Sequence, residues 1–132
     1  MITSEIIKIA SNTKNVGLTN KYSFKSSLKN SLCGDKIKLE LDAKNFKISL
    51  MKYEIESCIY CEASASLLAK KIRNLGIKTI IKDLNLLKNI IKTEKFIFPI
   101  NFKEFKILIN EQNLNRINCI NLPFDAVLKA LK

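Results

Sequence analysis

Cys33-Gly34-Asp35-Lys36-Ile37-Lys38-Leu39-Glu40-Leu41-Asp42 joins a thiol and a carboxylate to a clear strand pattern. From Lys36 onward apolar and charged residues alternate, with Ile37, Leu39 and Leu41 on one face and Lys36, Lys38, Glu40 and Asp42 on the other. A period of two marks a strand with one face buried and one in water. Such a strand suits an antiparallel sheet whose apolar face must be covered by something else. At its head, Cys33 and Asp35 are separated only by Gly34, so the backbone can turn tightly and aim a thiol and a carboxylate into one pocket.

Two weaker strand patterns flank it. Upstream, Phe24, Ser26, Leu28, Asn30 and Leu32 alternate with Lys25, Ser27, Lys29 and Ser31, giving a strand that runs up to Cys33. Downstream, Ala43 to Asn45 connect to a strand that begins at Phe46, Ile48 and Leu50 and then slips phase to Met51, Tyr53 and Ile55. A slip of this kind moves the buried set from even to odd positions and predicts a bulge or a bend. The three segments predict a meander.

Helices supply the cover. Ile2, Ile6, Ile7 and Ala10 predict a short N-terminal helix capped by Thr3 or Ser4, and Asn12 to Gly17 reads as a turn. Ala65, Leu68, Ile72 and Leu75 predict a helix from Cys61 to Leu75, stopped by Gly76, with Ala63, Ser64, Ala65 and Ser66 small enough for a close approach to the sheet. Ile77, Ile80, Ile81, Leu84, Leu87 and Ile91 give the clearest amphipathic pattern. Pro99 breaks the pattern, and Phe102, Phe105, Leu108 and Ile109 predict a further short helix. Phe124, Val127, Leu128 and Leu131 predict a C-terminal helix with Asn121 as cap and Pro123 in its first turn. The expected fold is α+β, a three-stranded antiparallel sheet packed by helices, in a single domain spanning residues 1–132.

The 132-residue chain is 47% apolar with 3 Gly and 2 Pro, which argues against disorder. Its net charge of +11 is carried almost entirely by lysines spread from Lys8 to Lys132, with only Arg73 and Arg116 as arginines. Base and phosphate readers cluster arginine with aromatics between, whereas a coding bias toward Lys, Asn and Ile accounts for this balance, so no nucleic-acid partner is expected. No segment approaches the ~20 apolar residues that cross a bilayer, and the first ten residues carry Glu5 and Lys8 in place of a signal-peptide core. No membrane partner is expected, and the chain is expected in the cytosol. There, its 4 cysteines read as ligands or reactive thiols more readily than as disulfides.

Cys58 and Cys119 each stand just ahead of a helical pattern, where free backbone N–H groups and the helix dipole favour a negative ligand. With Cys33 and Asp35 they make three thiols and one carboxylate, a set that satisfies tetrahedral zinc and could also hold a 2Fe-2S cluster. The bland alternative is that these thiols fill core space, as free cysteines often do; their spacing matches no zinc-finger rule. A second alternative is redox chemistry: Cys58-Ile59-Tyr60-Cys61 is a CxxC at a strand-to-helix junction, the placement used by thioredoxin-like dithiol oxidoreductases. Against it, the strands ahead form a meander and no βαβ unit, and Cys33 and Cys119 would have no role. With no histidine in the chain, hydrolytic triads of the usual type are excluded.

The chain resembles the NifU-like N-terminal domain family, the IscU and SufU proteins of iron-sulfur cluster assembly. Asn12-Thr13-Lys14-Asn15-Val16-Gly17 is similar to that family's Asn-Pro-Arg-Asn-Val-Gly. Cys33-Gly34-Asp35 resembles its first ligand motif, Cys58 with Ala63-Ser64-Ala65-Ser66 its second, and Arg116-Ile117-Asn118-Cys119, followed by Leu122 and Ala126, its third. The resemblance implies a three-stranded antiparallel sheet packed by helices and the ligand set Cys33, Asp35, Cys58 and Cys119.

It leans toward SufU. The stretch between Cys58 and Cys119 is long, the chaperone-binding Leu-Pro-Pro-Val-Lys of IscU is missing before Cys119, and Asn118 stands where IscU has histidine. SufU resemblance implies a zinc-bound acceptor of persulfide sulfur from a cysteine desulfurase, SufS- or IscS-like, with Cys33 the first choice of acceptor and Cys119 the second. IscU resemblance implies a scaffold that assembles a transient 2Fe-2S cluster from iron and sulfide and passes it to recipient apoproteins or cluster carriers. Either way the chain acts as scaffold or sulfur acceptor more than as a stand-alone enzyme. Cys61 is an addition to the usual pattern.

Overall fold

The computed structural model describes residues 2–31, 34–93 and 95–132. Cys33, the first choice of sulfur acceptor, lies outside the described residues, and so does Leu32, the last residue of the expected first strand.

The sheet is the expected antiparallel meander of three strands in the order β1 (Phe24–Lys29), β2 (Lys36–Lys44), β3 (Lys47–Glu56). Its register aligns the apolar sets in rows: Leu28, Ile37 and Ile55 in one, Phe24, Leu41 and Met51 in another. On the opposite face Lys36 pairs with Glu56 and Lys38 with Glu54, cross-strand neighbours of opposite charge. The phase slip in β3 is a bulge at Ser49: Asp42 pairs with Leu50 but Ala43 pairs with Ile48, so Ser49 is the extra residue, and its hydroxyl donates to the Asp42 carbonyl at 3.2 Å. Ile48 and Met51, three apart, can therefore both be fully buried.

The turn between β2 and β3 differs from expectation. Lys44 pairs with Lys47, leaving only Asn45 (φ 53°) and Phe46 (φ 64°) as a two-residue turn in the left-handed region. That handedness matches the twist of the flanking strands. Phe46 therefore does not begin the third strand; it stands at the tip, 87% exposed.

Among the described residues there are four α-helices: α1 (Ser4–Ala10), α2 (Ile59–Lys71), α3 (Ile77–Thr93) and α4 (Ile117–Ala130), the last preceded by 3-10 segments at Ile100–Ile107 and Glu111–Arg116. Thr3 caps α1, its hydroxyl accepting from the Ile6 N–H at 3.2 Å. Helix α2 starts two residues before the expected Cys61 and is buried almost all round, from Tyr60 to Ala69. Gly76 does not stop it. The helix ends at Lys71, and the left-handed residue is Asn74 (φ 68°), an amide side chain that tolerates this region. Helix α3 matches its pattern, burying Ile80, Leu84 and Leu87, and Lys88 ties it to α4 by an ion pair with Asp125 at 2.5 Å.

Helix α4 begins one turn before the expected cap, because the 3-10 segment capped by Asn110 runs straight into it. Asn121 consequently sits inside the helix, its Oδ1 buried with no partner among the described residues. Pro123 lies in the interior too, where it offers no N–H to the carbonyl four residues back. Helices α2 and α4 pack on each other; α4 also lies on β1 and β2, and α2 on β3. Phe102, Phe105 and Phe124 fill the core between them, with the Phe105 and Phe124 rings edge to face at 5.1 Å.

Glu40 breaks the strand's polar-out rule. It is only 5% exposed because the segment before β1 folds over it: Oε1 accepts from the Thr19 N–H (2.8 Å) and hydroxyl (3.1 Å), and Oε2 from the Asn20 N–H (2.8 Å). Removing the carboxylate strands these donors. Glu40→Ala is expected to lower unfolding stability by about 2–3 kcal/mol, with Glu40→Gln in between; a urea midpoint unchanged in Glu40→Ala would rule the clamp out.

Candidate metal centre

The end of the sheet where β1 leaves, β2 enters and β3 leaves holds the site. After β1 the backbone turns back through Asn30, whose N–H donates to the Asp35 carbonyl at 2.7 Å and whose own carbonyl accepts from the Gly34 N–H at 2.8 Å. Gly34 has φ +76° with open space where a Cβ would stand, so its backbone conformation and not its size selects glycine. This turn delivers Asp35 to the mouth of β2 as a buried carboxylate, 5% exposed.

Cys58 is the N-cap of α2, in extended conformation, but its sulfur makes no cap hydrogen bond. The cap is turned around. The Cys58 N–H donates to Asp35 Oδ1 at 3.3 Å and the Cys58 thiol donates to Asp35 Oδ2 at 3.8 Å. A carboxylate at a helix N-terminus is favoured by the dipole and the free amides there. Cys119, expected ahead of its helix, lies instead in the first turn of α4 and is 5% exposed. What holds that turn against α2 is Ser64, fully buried, whose hydroxyl donates to the Ile120 carbonyl at 2.7 Å. Across the two helix starts the Arg116 guanidinium lies 5.6 Å from the centre of the Tyr60 ring, a cation–π contact.

The result is a group of three donors. The carboxylate oxygen of Asp35 and the sulfurs of Cys58 and Cys119 all lie within 4.8 Å of one another. Sulfur at about 2.3 Å and oxygen at about 2.0–2.2 Å from a tetrahedral ion stand roughly 3.5–3.8 Å apart. The donors therefore fit a zinc- or iron-sized ion after side-chain shifts of about 1 Å, with a fourth position left for another ligand. Asp35 and Cys119 are buried and Cys58 is half-buried, so Cys58 is the most exposed of the three residues. Cys61, fully buried in the first turn of α2, is not one of the three.

Three of the four expected ligands are thus brought together from distant parts of the chain, and the fourth, Cys33, lies outside the described residues. Ser64 and the Arg116–Tyr60 contact were not foreseen as supports. Ser64 was legible only as one of a run of small residues, and Arg116 only by its place three residues ahead of Cys119.

A model of the NifU-like N-terminal domain matches residues 1–97, short of the Cys119 stretch. No curated protein sequence matches the chain. Among solved structures, a NifU-like protein (N-terminal) from Brucella abortus superposes with a TM-score of 0.86 at 18% identity, over 98% of this chain and 90% of that one. A protein from Fervidobacterium islandicum AW-1, described as a candidate iron-sulfur cluster assembly scaffold for the SUF system, superposes with a TM-score of 0.79 at 22% identity, over 99% of this chain and 96% of that one.

Exposure sets an order of thiol reactivity. Under native conditions iodoacetamide is expected to modify Cys58 roughly ten-fold or more ahead of Cys119 and Cys61, which react only on local opening. Peptide mapping after timed quenching measures this, and equal rates at the three would contradict the burial.

Proposed function

The chain belongs to the NifU-like N-terminal domain family, and from that premise we propose that it is an iron-sulfur cluster assembly protein, acting as a scaffold or as a zinc-dependent sulfur acceptor. The observation that carries this reading is the convergence of Asp35, Cys58 and Cys119 within 4.8 Å. The proposed fourth donor is Cys33, two residues before Asp35. Three soft sulfurs and one hard oxygen hold an ion less firmly than four thiolates would, which suits a site that takes in and passes on its cargo. A Fervidobacterium protein of the same fold, described as a SUF-system scaffold, supports the direction of the reading.

The proposed partner is a cysteine desulfurase, SufS- or IscS-like, with apoproteins or cluster carriers as recipients, in the cytoplasm. Sulfur arrives as a persulfide and passes to a thiolate of this chain, Cys33 in the first place and Cys119 in the second. Zinc, when bound, supplies a positive charge that keeps the thiols deprotonated. The chain's own residues do the rest. Asp35 holds the Cys58 N–H and faces its thiol, so it can take up a thiol proton and can yield its place when a sulfur ligand moves. The open side at Cys58 admits the incoming sulfur, and the burial of Cys119 limits side reactions with water-borne oxidants.

The reading of Cys58 and Cys61 as a stand-alone thioredoxin-like site is not favoured: the three strands β1, β2 and β3 pair antiparallel, and that chemistry is expected beside a βαβ unit.

Metal analysis of the protein purified without added iron tests the proposal. One tightly held zinc per chain is the outcome expected of the acceptor, and iron with acid-labile sulfide that of the scaffold; substoichiometric metal of every kind would overturn both. Cys58→Ser, Cys119→Ser and Cys33→Ser are each expected to weaken metal affinity by roughly 10²-fold or more, and Asp35→Ala by about ten-fold, read by competition with a chromophoric chelator.

A further inference from the structure

Cys58 and Cys61 occupy the N-cap and the third position of α2, and the 3.1 Å hydrogen bond from the Glu62 N–H to the Cys58 carbonyl closes the turn that holds both. Four consecutive residues folded into a turn keep their ends within about 7 Å between Cα atoms. A disulfide requires roughly 4.4–6.8 Å. The two thiols differ in access: Cys58 is half-buried and open to an incoming sulfur, whereas Cys61 has no exposed surface. Nothing in the metal-binding reading uses Cys61, which stays outside the three-donor group.

We infer that Cys61 is the resolving thiol of this site: it attacks a persulfide carried on Cys58, releasing the outer sulfur as hydrogen sulfide and leaving a Cys58–Cys61 disulfide. The inference rests on the persulfide-accepting function proposed above and adds the step that turns accepted sulfur into sulfide. Sulfur accepted on Cys33 or Cys119 passes to Cys58 by thiol–persulfide exchange, and for Cys119 the two sulfurs lie within 4.8 Å.

The resolving step balances. Cys58–S–SH and Cys61–SH give Cys58–S–S–Cys61 and hydrogen sulfide: the S–S bond of the persulfide breaks, a new one forms between the two cysteine sulfurs, and the Cys61 proton leaves with the departing sulfur. The outer sulfur gains two electrons and the two thiols lose them, so the disulfide must be reset by a dithiol reductant from outside. Burial of Cys61 keeps it from thiols and persulfides in solution, so the resolving thiol does not compete with the acceptor. The disulfide also withdraws Cys58 from the donor group, so the site loosens as sulfide departs.

The test uses the full-length, fully reduced chain, desalted, exposed briefly to inorganic polysulfide and desalted again. Intact-mass spectrometry and a sulfide probe then follow it without added reductant. The wild-type chain is expected to release hydrogen sulfide and to end two hydrogens lighter than the reduced protein, with the Cys58–Cys61 linkage found by non-reducing peptide mapping. Cys61→Ser and Cys61→Ala, both checked for folding by circular dichroism, are expected to keep one extra sulfur on Cys58 or its exchange partner Cys119 and to release sulfide on the order of 10²-fold more slowly, because the thiol held in the same turn as Cys58 is gone. A wild-type chain that holds sulfur on Cys58 as long as the variants do overturns the inference and leaves the acceptor function standing. Failure of any cysteine to take up sulfur, in wild type and variants alike, overturns both.

Discussion

Antiparallel register is the constraint on which the rest of the molecule depends. Lys36 faces Glu56 across the β2–β3 ladder, so Asp35 just before one strand and Cys58 just after the other are forced to the same edge of the sheet. The pairing cannot slip by one, because the side-chain period is two and a slip would turn Ile37, Leu39 and Leu41 out into water. At roughly 1.5–3 kcal/mol for each large apolar side chain kept from solvent, the core fixes the register, and the register fixes the first half of the site. The hydrogen bonds from Cys58 to Asp35 are a consequence of that alignment more than its cause.

The second half comes from covering the sheet. An apolar face over three strands needs helices on it, and α2 and α4 lie side by side there. Small residues let them approach: Ala63, Ser64, Ala65 and Ser66 are all buried in α2. Ser64 then sets the axial position, since its bond to the Ile120 carbonyl leaves Cys119 one residue away at the mouth of the sheet. A thiol far along the chain is thus brought beside Asp35 and Cys58 by the same packing that makes the fold stable.

Where periodicity was strict, the sequence was enough. β2 and α3 were legible because Ile37, Leu39 and Leu41, and Ile80, Leu84 and Leu87, each repeat a single period without interruption, and the bulge in β3 was legible from its change of phase. Element ends were harder, because they turn on competing local choices. Gly76 looked like the stop for α2, yet Asn74 took the left-handed position. Phe46 looked like a strand residue, but the two-residue turn required by the twist claimed it. Asn121 and Pro123 together read as a helix start, and this was overruled by a 3-10 segment that already had its own cap at Asn110. Of the site, the identities of Asp35, Cys58 and Cys119 were legible and their distances were not, since α2–α4 packing is a long-range property that no window of sequence contains.

A carboxylate among thiols makes sense of where the site sits. Four thiolates in a closed shell would suit a permanent centre, and burial on all sides would protect it. Here the oxygen donor and one sulfur donor, Cys119, are buried, and the other sulfur donor, Cys58, is half-buried. The most exposed of the three donors is therefore a nucleophile, and the carboxylate is tied to the Cys58 backbone as well as to its thiol. On the function proposed above, displacing Asp35 from an ion would not cast it loose, because the Cys58 N–H still holds one oxygen. Exchange would then proceed without unfolding the turn that carries the carboxylate.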